Sequence, residues 1–315
     1  MKMNARPAAS LLFLPLVAAL AACGGGGGGG PGPVAEGERP DPAPIVTAPD
    51  VTISGPTATE SISYTFDPSA QKFTGITSTN DAGLGGISTV GFTNAGTLVA
   101  LTLDPGTGPM EFTRFGPSGV SPLLTLAEND THVALVPSGT ALKALGWNYQ
   151  SFGVWEPGVE TGTGTSGVVS FGRDLTAIND IPTQGTATYK GILGGQYVRA
   201  DGVDHVLYSD LVATVDFSAR TIGLSTTKTL ILNEADLKAG TPQDVSGSLA
   251  LSGALTITPG ANVFSGPVSA GSGRLTGSSQ GRFYGPNADE LGGVGTVQAG
   301  SGVESIQFAY GAKKQ

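Results

Sequence analysis

The strongest restriction on the fold of this chain comes from short alternating segments that recur along it. Examples are Ser61–Phe66, Gly96–Leu103 and Leu211–Phe217, and glycine, serine, asparagine, aspartate or proline separates such segments. A period of two places successive side chains on opposite faces of an extended strand. Many short strands divided by turn residues are typical of antiparallel sandwiches and barrels. The sequence therefore predicts an all-β protein.

The stability of these strands must come from a packed core. The chain contains one cysteine, so no internal disulfide can form. The residues from 51 to 315 are numerous enough to bury one or two cores. Glycine inside a strand marks a bend or bulge, and curved or closed sheets use such positions. The glycines inside the predicted strands therefore favour curved sheets.

The last part of the chain has the most regular strand pattern, and we predict a barrel domain over residues 184–315. An even-numbered meander of about eight strands can close on itself, which removes exposed sheet edges and fills the interior with side chains. The predicted strands are Ala187–Leu193, Leu211–Ser218, Thr221–Leu230, Gly247–Ile257, Asn262–Ala270, Leu275–Tyr284, Gly292–Val297 and Ser305–Ala312. The expected architecture is an eight-stranded antiparallel β-barrel.

Residues 51–183 are less regular and are predicted to form a separate, irregular β domain. Both tryptophans fall in Gly146–Glu156. Strand alternation there would place Trp147, Tyr149 and Ser151 on one face, and Phe152, Val154 and Glu156 on the other. The favoured interpretation is a core strand, and the alternative is a set of exposed aromatic anchors for a protein partner. The single helix that the sequence predicts is Asn233–Ala239, with Asn233 as its cap.

The N-terminal segment is typical of an exported protein. Lys2 and Arg6 precede an apolar run, Leu11–Ala22, and the only cysteine follows it at Cys23. This order is that of a secretory signal peptide, and the run is too short for a membrane-spanning helix. Leu20–Cys23 resembles the bacterial lipobox, whose cysteine becomes the acylated first residue. The resemblance predicts a signal peptide at residues 1–22 and lipidation of Cys23, and the alternative is an ordinary signal with a chance cysteine.

The segment after Cys23 is predicted to be a tether. Residues 23–50 begin with the glycine run Gly24–Gly30 and continue with several prolines and acidic residues, a composition that buries little surface. Gly24 stands where aspartate often retains lipoproteins in the inner membrane, so the lipobox resemblance implies the outer membrane. The lipid at Cys23 is expected to carry more than one acyl chain, palmitate among them, which would make the membrane attachment stable.

The charge balance excludes some partners. Loss of Lys2 and Arg6 with the signal leaves 14 basic against 25 acidic residues, a net charge of −11. Nucleic acids and anionic lipid surfaces attract clustered lysine and arginine, so neither is an expected partner of the folded part. The predicted link to the membrane is the lipid anchor.

Catalytic and metal-binding patterns are weak in this sequence. It contains two histidines, His132 and His205, in different predicted domains, and no nucleophile elbow, zinc-protease motif or phosphate loop. We therefore predict no enzymatic activity, no catalytic residues, no metal site and no resident cofactor. Asp201–His205 is interpreted as a solvated hairpin loop, with a metal or haem contact through His205 as the alternative. Asp289 and Glu290 are expected in a helical turn after Pro286.

One segment resembles a known family. Gly281–Gly293 reads Gly-Arg-Phe-Tyr-Gly-Pro-Asn-Ala-Asp-Glu-Leu-Gly-Gly. It resembles the Gly-x-Phe-Tyr-Gly-Pro-x-Ala-x-Glu-x-Gly-Gly segment of the transferrin-binding protein B family of surface lipoproteins. Tyr149–Trp155 is similar to a tyrosine-to-tryptophan strand in the handle part of those proteins. We expect a strand to end at Tyr284, and Gly292–Gly293 to let the next strand pass close to its neighbour.

The resemblance implies a handle-like domain followed by a barrel, in a protein exported to the cell surface by a dedicated outer-membrane translocon. Family members capture host iron proteins, haem proteins or complement regulators, and some have no known ligand. Members that hold transferrin have two lobes, whereas this chain has room for one. Their ligand contacts lie on variable handle loops, so the binding residues stay unknown.

The expected function is therefore that of a surface-exposed, outer-membrane lipoprotein that binds a protein or small solute, with a role in iron or haem acquisition. The alternative is a structural or envelope-assembly lipoprotein that faces the periplasm and has no nutrient ligand.

Overall fold

The computed structural model describes residues 49–78, 83–157, 162–233 and 240–315. Strands account for 64% of the structure and helices for 7%, which confirms the all-β prediction. The strands belong to one compact unit, Ala48–Gln315, and form two antiparallel sheets within it. In the described part of the chain, no helix is long and apolar enough to span a membrane.

The first sheet contains ten strands. Nine of them follow the order β5-β4-β3-β1-β10-β9-β8-β7-β6, and the tenth, β2, pairs with β1, which also pairs with β3. The strands are β1 (Val51–Asp67), β2 (Lys72–Ser78), β3 (Gly83–Phe92), β4 (Leu98–Leu103), β5 (Met110–Phe112), β6 (Arg114–Pro117), β7 (Leu124–Glu128), β8 (His132–Pro137), β9 (Gln150–Pro157) and β10 (Thr163–Gly172).

The two edges of the first sheet are brought together by the chain itself. The single residue Thr113 separates β5 at one edge from β6 at the other. The Thr113 N–H donates to the carbonyl of Glu128 at 3.1 Å, and the Asn129 side chain donates to the carbonyl of Glu111 at 2.8 Å. The sheet therefore curls into a barrel-like shape.

A short helix that the sequence reading missed connects β8 and β9. Helix α1 (Gly139–Leu145) begins at Ser138, whose hydroxyl accepts from the Ala141 N–H, and ends at Gly146 with a φ of 68°. A serine cap and a left-handed glycine are normal helix boundaries. The helix that the sequence predicted begins at Asn233, which ends a strand, and its other residues, 234–239, lie outside the described ones.

The second sheet is a closed barrel, as predicted. Eight of its strands form a ring in the order β12-β11-β19-β18-β17-β16-β15-β13, which closes through the β12–β13 pair, and the two-residue β14 extends β13. The strands are β11 (Thr186–Val198), β12 (Asp204–Asp216), β13 (Thr221–Asn233), β14 (Gln243–Asp244), β15 (Leu251–Ile257), β16 (Phe264–Ala270), β17 (Leu275–Tyr284), β18 (Glu290–Ala299) and β19 (Ser305–Lys314).

The predicted strand positions match this ring, and most of the predicted ends differ from the observed ones by three residues or fewer. The strand predicted from Gly247 begins at Leu251, because Ser246–Leu249 form one helical turn, α2. The hairpin of β11 and β12 is longer than predicted, since its pairing continues to Val198 and Asp204.

The buried side chains of the barrel form one apolar cluster. Phe283 is fully buried, and its ring lies 5.2 Å from Phe264, 6.0 Å from Phe217 and 6.3 Å from Tyr189, centroid to centroid. Aromatic pairs at these separations add to the stability gained from burial. The barrel therefore has the side-chain core that a small closed barrel requires.

A second apolar cluster includes residues from both sheets. Its first-sheet members pack with barrel residues that include Ile192, Val294 and Ala309, all almost completely buried. The core of the first sheet is thus completed by the barrel. The predicted division into domains at residues 183 and 184 falls between the two sheets and stays a prediction, because both sheets lie in one compact unit.

Candidate functional site

The junction between the two sheets contains a buried carboxylate, that of Glu290. Glu290 is the first residue of β18, and its side chain accepts from the backbone N–H groups of Asn148 at 2.7 Å, Tyr149 at 3.0 Å and Gln150 at 3.1 Å. The three donors lie at the entrance to β9 in the first sheet. The prediction that Glu290 sits in a helical turn is wrong, because that turn ends at Ala288.

Burial raises the pKa of Glu290, and the three backbone donors and Lys313 oppose that shift. Lys313 is the register partner of Glu290 on β19, and its ammonium group donates to the carbonyl of Gly146. Hydrogen bonds to a charged acceptor are stronger than neutral ones. Glu290 and Lys313 therefore bind the segment that joins α1 to β9 onto the barrel.

Glycines in β18 and β19 allow the two sheets to approach closely. A Cβ atom at Gly292 would lie 2.8 Å from Ser170 Oγ, and one at Gly311 would lie 2.1 Å from Gln150 Nε2. A Cβ atom at Gly293 would lie 2.5 Å from Tyr310 Oη. The expected close approach at Gly292–Gly293 is therefore confirmed.

The aromatic part of the same segment belongs to the protein interior. Phe283 and Tyr284 are buried, and Gly285 and Asn287 adopt φ angles of 74° and 56° in the turn between β17 and β18. The Asn262 side chain accepts from the Phe283 N–H at 2.8 Å and donates to the Phe283 carbonyl at 2.8 Å. Phe283 and Tyr284 fill the core and are not available to a ligand, whereas Gly285 and Asn287 shape the turn.

A second polar contact joins the sheets at Glu60 of β1. Its carboxylate accepts from the Thr296 hydroxyl of β18 at 2.5 Å. Burial raises the pKa of Glu60, and the Thr296 hydrogen bond partly opposes the shift. Nearby, the side-chain amide nitrogen of Gln307 donates to Ser166 Oγ at 2.6 Å and to the side-chain oxygen Oε1 of Gln196 at 2.7 Å. The junction between the sheets is therefore mainly apolar, and a few buried hydrogen bonds across it fix the position of one sheet relative to the other.

The two tryptophans are core residues, as the favoured interpretation held. Trp147 is 3% exposed and Trp155 is 6% exposed, so the alternative of exposed anchors is wrong. The pairing of β9 with β10 is regular, so Phe152, Val154 and Glu156 share a face as predicted, although the first six residues of the strand are buried on both faces. Trp147 instead precedes the strand and packs edge-on against Phe152, with ring centroids 6.3 Å apart.

The histidines lie apart from one another, in different sheets. His132 begins β8 and packs edge-on against Trp155. The loop of Asp201 is a hairpin turn, as predicted, but His205 is buried in β12 rather than solvated, and burial lowers its pKa. Among the described residues, no group of three or more His, Cys, Asp or Glu side chains could hold a metal ion. Cys23, the predicted lipidation site, lies outside the described residues.

An open groove of about 760 Å³ on the first sheet is the candidate binding site. Leu98, Phe115, Val120 and Leu124 supply its large apolar side chains. Its other lining residues are small, hydroxylated or proline: Gly96, Thr97, Gly116, Pro117, Gly119, Ser121, Pro122, Thr125, Ser138, Thr140 and Pro242. The volume is within the usual range of small-molecule sites, about 300–1,000 Å³.

Local hydrogen bonds hold the wall of this groove in place. In the loop between β6 and β7, the Ser118 hydroxyl donates to the carbonyl of Ser121 at 2.9 Å. The Ser138 hydroxyl, which caps α1, also donates to the carbonyl of Pro122 at 3.0 Å. Sequence reasoning missed the groove because its residues come from four separate segments, one of which, at Pro242, follows barrel strand β13.

The geometry thus defines a class: a closed eight-stranded barrel with a second, curled sheet docked on it. Residues 181–314 match the family model described as the C-lobe and N-lobe beta barrels of Tf-binding protein B. This part of the chain is a barrel of the transferrin-binding protein B type, and the predicted family resemblance is confirmed for it.

Solved structures of Tf-binding protein B are also similar to the chain. Intact Ap-TbpB, with its N and C lobes, has 17% identity and a TM-score of 0.46, over 82% of this chain and 46% of that one. The protein from Haemophilus parasuis Hp5 has 17% identity, a TM-score of 0.44 and coverages of 82% and 45%.

The protein from serogroup B Neisseria meningitidis has 17% identity, a TM-score of 0.44 and coverages of 82% and 44%. The chain thus spans about half the length of these three proteins. The comparison with curated proteins gives no match.

Proposed function

We propose that this chain is a non-enzymatic outer-membrane lipoprotein, anchored through Cys23 and displayed at the cell surface, that binds a protein or a small solute. The observation that supports it is a barrel of the Tf-binding protein B type holding a sheet with an open, preformed groove. Binding sites commonly lie on loops that a rigid scaffold positions. The similar solved structures are of transferrin-binding proteins, and we propose for this chain the broader role of ligand capture, with iron or haem acquisition as the nutrient role.

The proposed anchor makes a direct prediction. Cys23→Ala should remain unprocessed or leave the membrane fraction, because the side chain that accepts the lipid is gone. The measurement is metabolic labelling with a palmitate analogue, followed by fractionation, with the unsubstituted protein as control. Continued labelling of the variant would exclude Cys23 as the acceptor.

Surface display separates this proposal from a structural role in the periplasm. Protease added to intact cells should cut the protein if it is displayed, and should spare it if it faces the periplasm. A periplasmic protein of the same cells must stay intact in the experiment. Export to the surface would also require an outer-membrane translocon as a partner.

Ligand capture is tested with the purified mature protein. It is exposed to host fluids and growth medium, and bound material is identified by mass spectrometry and by the absorbance of haem and iron. A specific bound protein or solute supports the proposal. A blank result together with protection from protease would reject it in favour of the structural role.

A further inference from the structure

The groove on the first sheet has a neutral lining. None of the fifteen described residues that line it is Asp, Glu, Lys, Arg or His. At the 13% of charged residues found in the whole chain, a lining of this size would contain about two. The groove is therefore less charged than the rest of a strongly acidic protein.

Two cations close to the groove are already engaged elsewhere. Lys143 of α1 donates to the carbonyl of Asn94 at 2.6 Å. Arg114, next to Phe115 on β6, donates to Asp130 at 3.0 Å and to the carbonyl of Asn129 at 2.6 Å. Neither is directed to an anion in the groove.

The wall offers a ligand apolar contact and a few hydroxyl groups. Phe115 is half-buried and is the more accessible of the large apolar side chains, whereas Leu98, Val120 and Leu124 are buried and also belong to the core of the first sheet. Thr97 and Thr140 stand exposed at the rim. Such a surface favours hydrocarbon with a small number of hydrogen-bonding groups. A charged group held against it would lose water and gain no ionic partner, which is unfavourable.

We infer that the groove takes an uncharged, largely apolar small molecule with hydroxyl or carbonyl groups, and excludes haem and anionic iron chelates. The inference rests on the proposed binding function and names the ligand class of its site. Haem has two carboxylates, which would find no cation in this lining. Capture of haem or iron by the protein would therefore need a different surface.

The test uses N-phenyl-1-naphthylamine, an uncharged apolar dye whose fluorescence rises when it leaves water. The purified mature protein is titrated with the dye, alongside Thr97→Glu and Thr140→Glu, which place a carboxylate at the groove rim. Thr214→Glu is the matched control, because Thr214 is exposed on barrel strand β12 and is not part of the groove. Thermal melting shows that each variant is folded.

We expect saturable dye binding that weakens at least tenfold in both groove variants and is unchanged in the Thr214 variant. No saturable binding, or equal affinity in all four proteins, would overturn the inference. Haem that displaces the dye, and that itself binds less well to the groove variants, would overturn the uncharged-ligand class while leaving the binding function in place. Groove-specific dye binding with a blank capture experiment and protease protection would reject the proposed function and not the ligand class.

Discussion

Glu290 provides the sharpest test of how the two sheets are held together. Glu290→Ala removes the acceptor of three backbone N–H groups from Asn148, Tyr149 and Gln150. A hydrogen bond to a charged group contributes about 1.5–3 kcal/mol, and a buried donor left without a partner costs about 1–3 kcal/mol. Gln150 is fully buried, whereas Asn148 is exposed and can bind water instead.

The full loss of three bonds therefore overstates the effect, and we expect a decrease of about 2–4 kcal/mol in the free energy of unfolding. For a unit of this size each kcal/mol lowers Tm by about 2–4 °C, so the expected decrease in Tm is about 5–15 °C. Calorimetry and urea denaturation measure both quantities. Amide hydrogen exchange should also accelerate at Tyr149 and Gln150 in particular, because their N–H groups lose the acceptor.

Two variants serve as controls for this prediction. Glu290→Gln keeps one carbonyl oxygen at the same place and should lose about half as much stability. Asp289→Ala changes the neighbouring carboxylate, which makes no contact with the 148–150 segment among the described hydrogen bonds, and should alter stability by less than about 0.5 kcal/mol. A Tm of Glu290→Ala within about 2 °C of that of the unsubstituted protein, or equal to that of Asp289→Ala, would show that Glu290 does not hold the two sheets together.

Two further predictions concern buried positions of the first sheet. Burial raises the pKa of Glu60 above its ordinary 4.5, so the folded state binds a proton more tightly than the unfolded state. The Glu60 carboxyl therefore favours folding at acidic pH, and its contribution to stability is lost as the pH rises through the pKa of the folded state. Glu60→Gln keeps an acceptor for Thr296 and should raise Tm at pH 7.5, with a gain that shrinks towards pH 4.5; a gain independent of pH would contradict this. Gly55→Ala would put a Cβ atom 1.8 Å from the carbonyl oxygen of Gly172 and should lower the free energy of unfolding, measured by urea denaturation, by at least about 2 kcal/mol. Gly247→Ala is the control and should be nearly neutral, because the space around Gly247 is open. Equal effects of the two substitutions would show that the strands at Gly55 can move apart without loss of stability.

Much of the barrel was predictable because apolar and polar residues alternate along a strand with a period of two, which is visible in the local sequence. The segment Leu275–Tyr284 was predicted with the bounds that the structure has, and the ring of eight strands followed from the regular spacing of its neighbours. The segment Gly281–Gly293 pointed to the family by its resemblance to the family's motif, and the structure shows that its turn has Gly285 and Asn287 at left-handed positions. Helix α1 escaped notice because its seven residues are too few for a helical period to stand out from the strand pattern.

The candidate groove and the junction were beyond sequence reasoning. Glu290 was expected in a helical turn beside Asp289, and its three donors lie 140 to 142 residues earlier in the chain. His205 looked solvated because its neighbours form a turn, yet the fold buries it in β12.

The sequence by itself determined the strand content, the ring of eight and the turn at Gly285, because each depends on neighbouring residues and their preferred backbone angles. Tertiary structure alone decided that the first sheet completes its core on the barrel, that Glu290 binds the entrance to β9, and that four distant segments meet in a neutral groove. These features depend on which surfaces pack together, and chain order does not encode the distance between residues that are far apart in sequence.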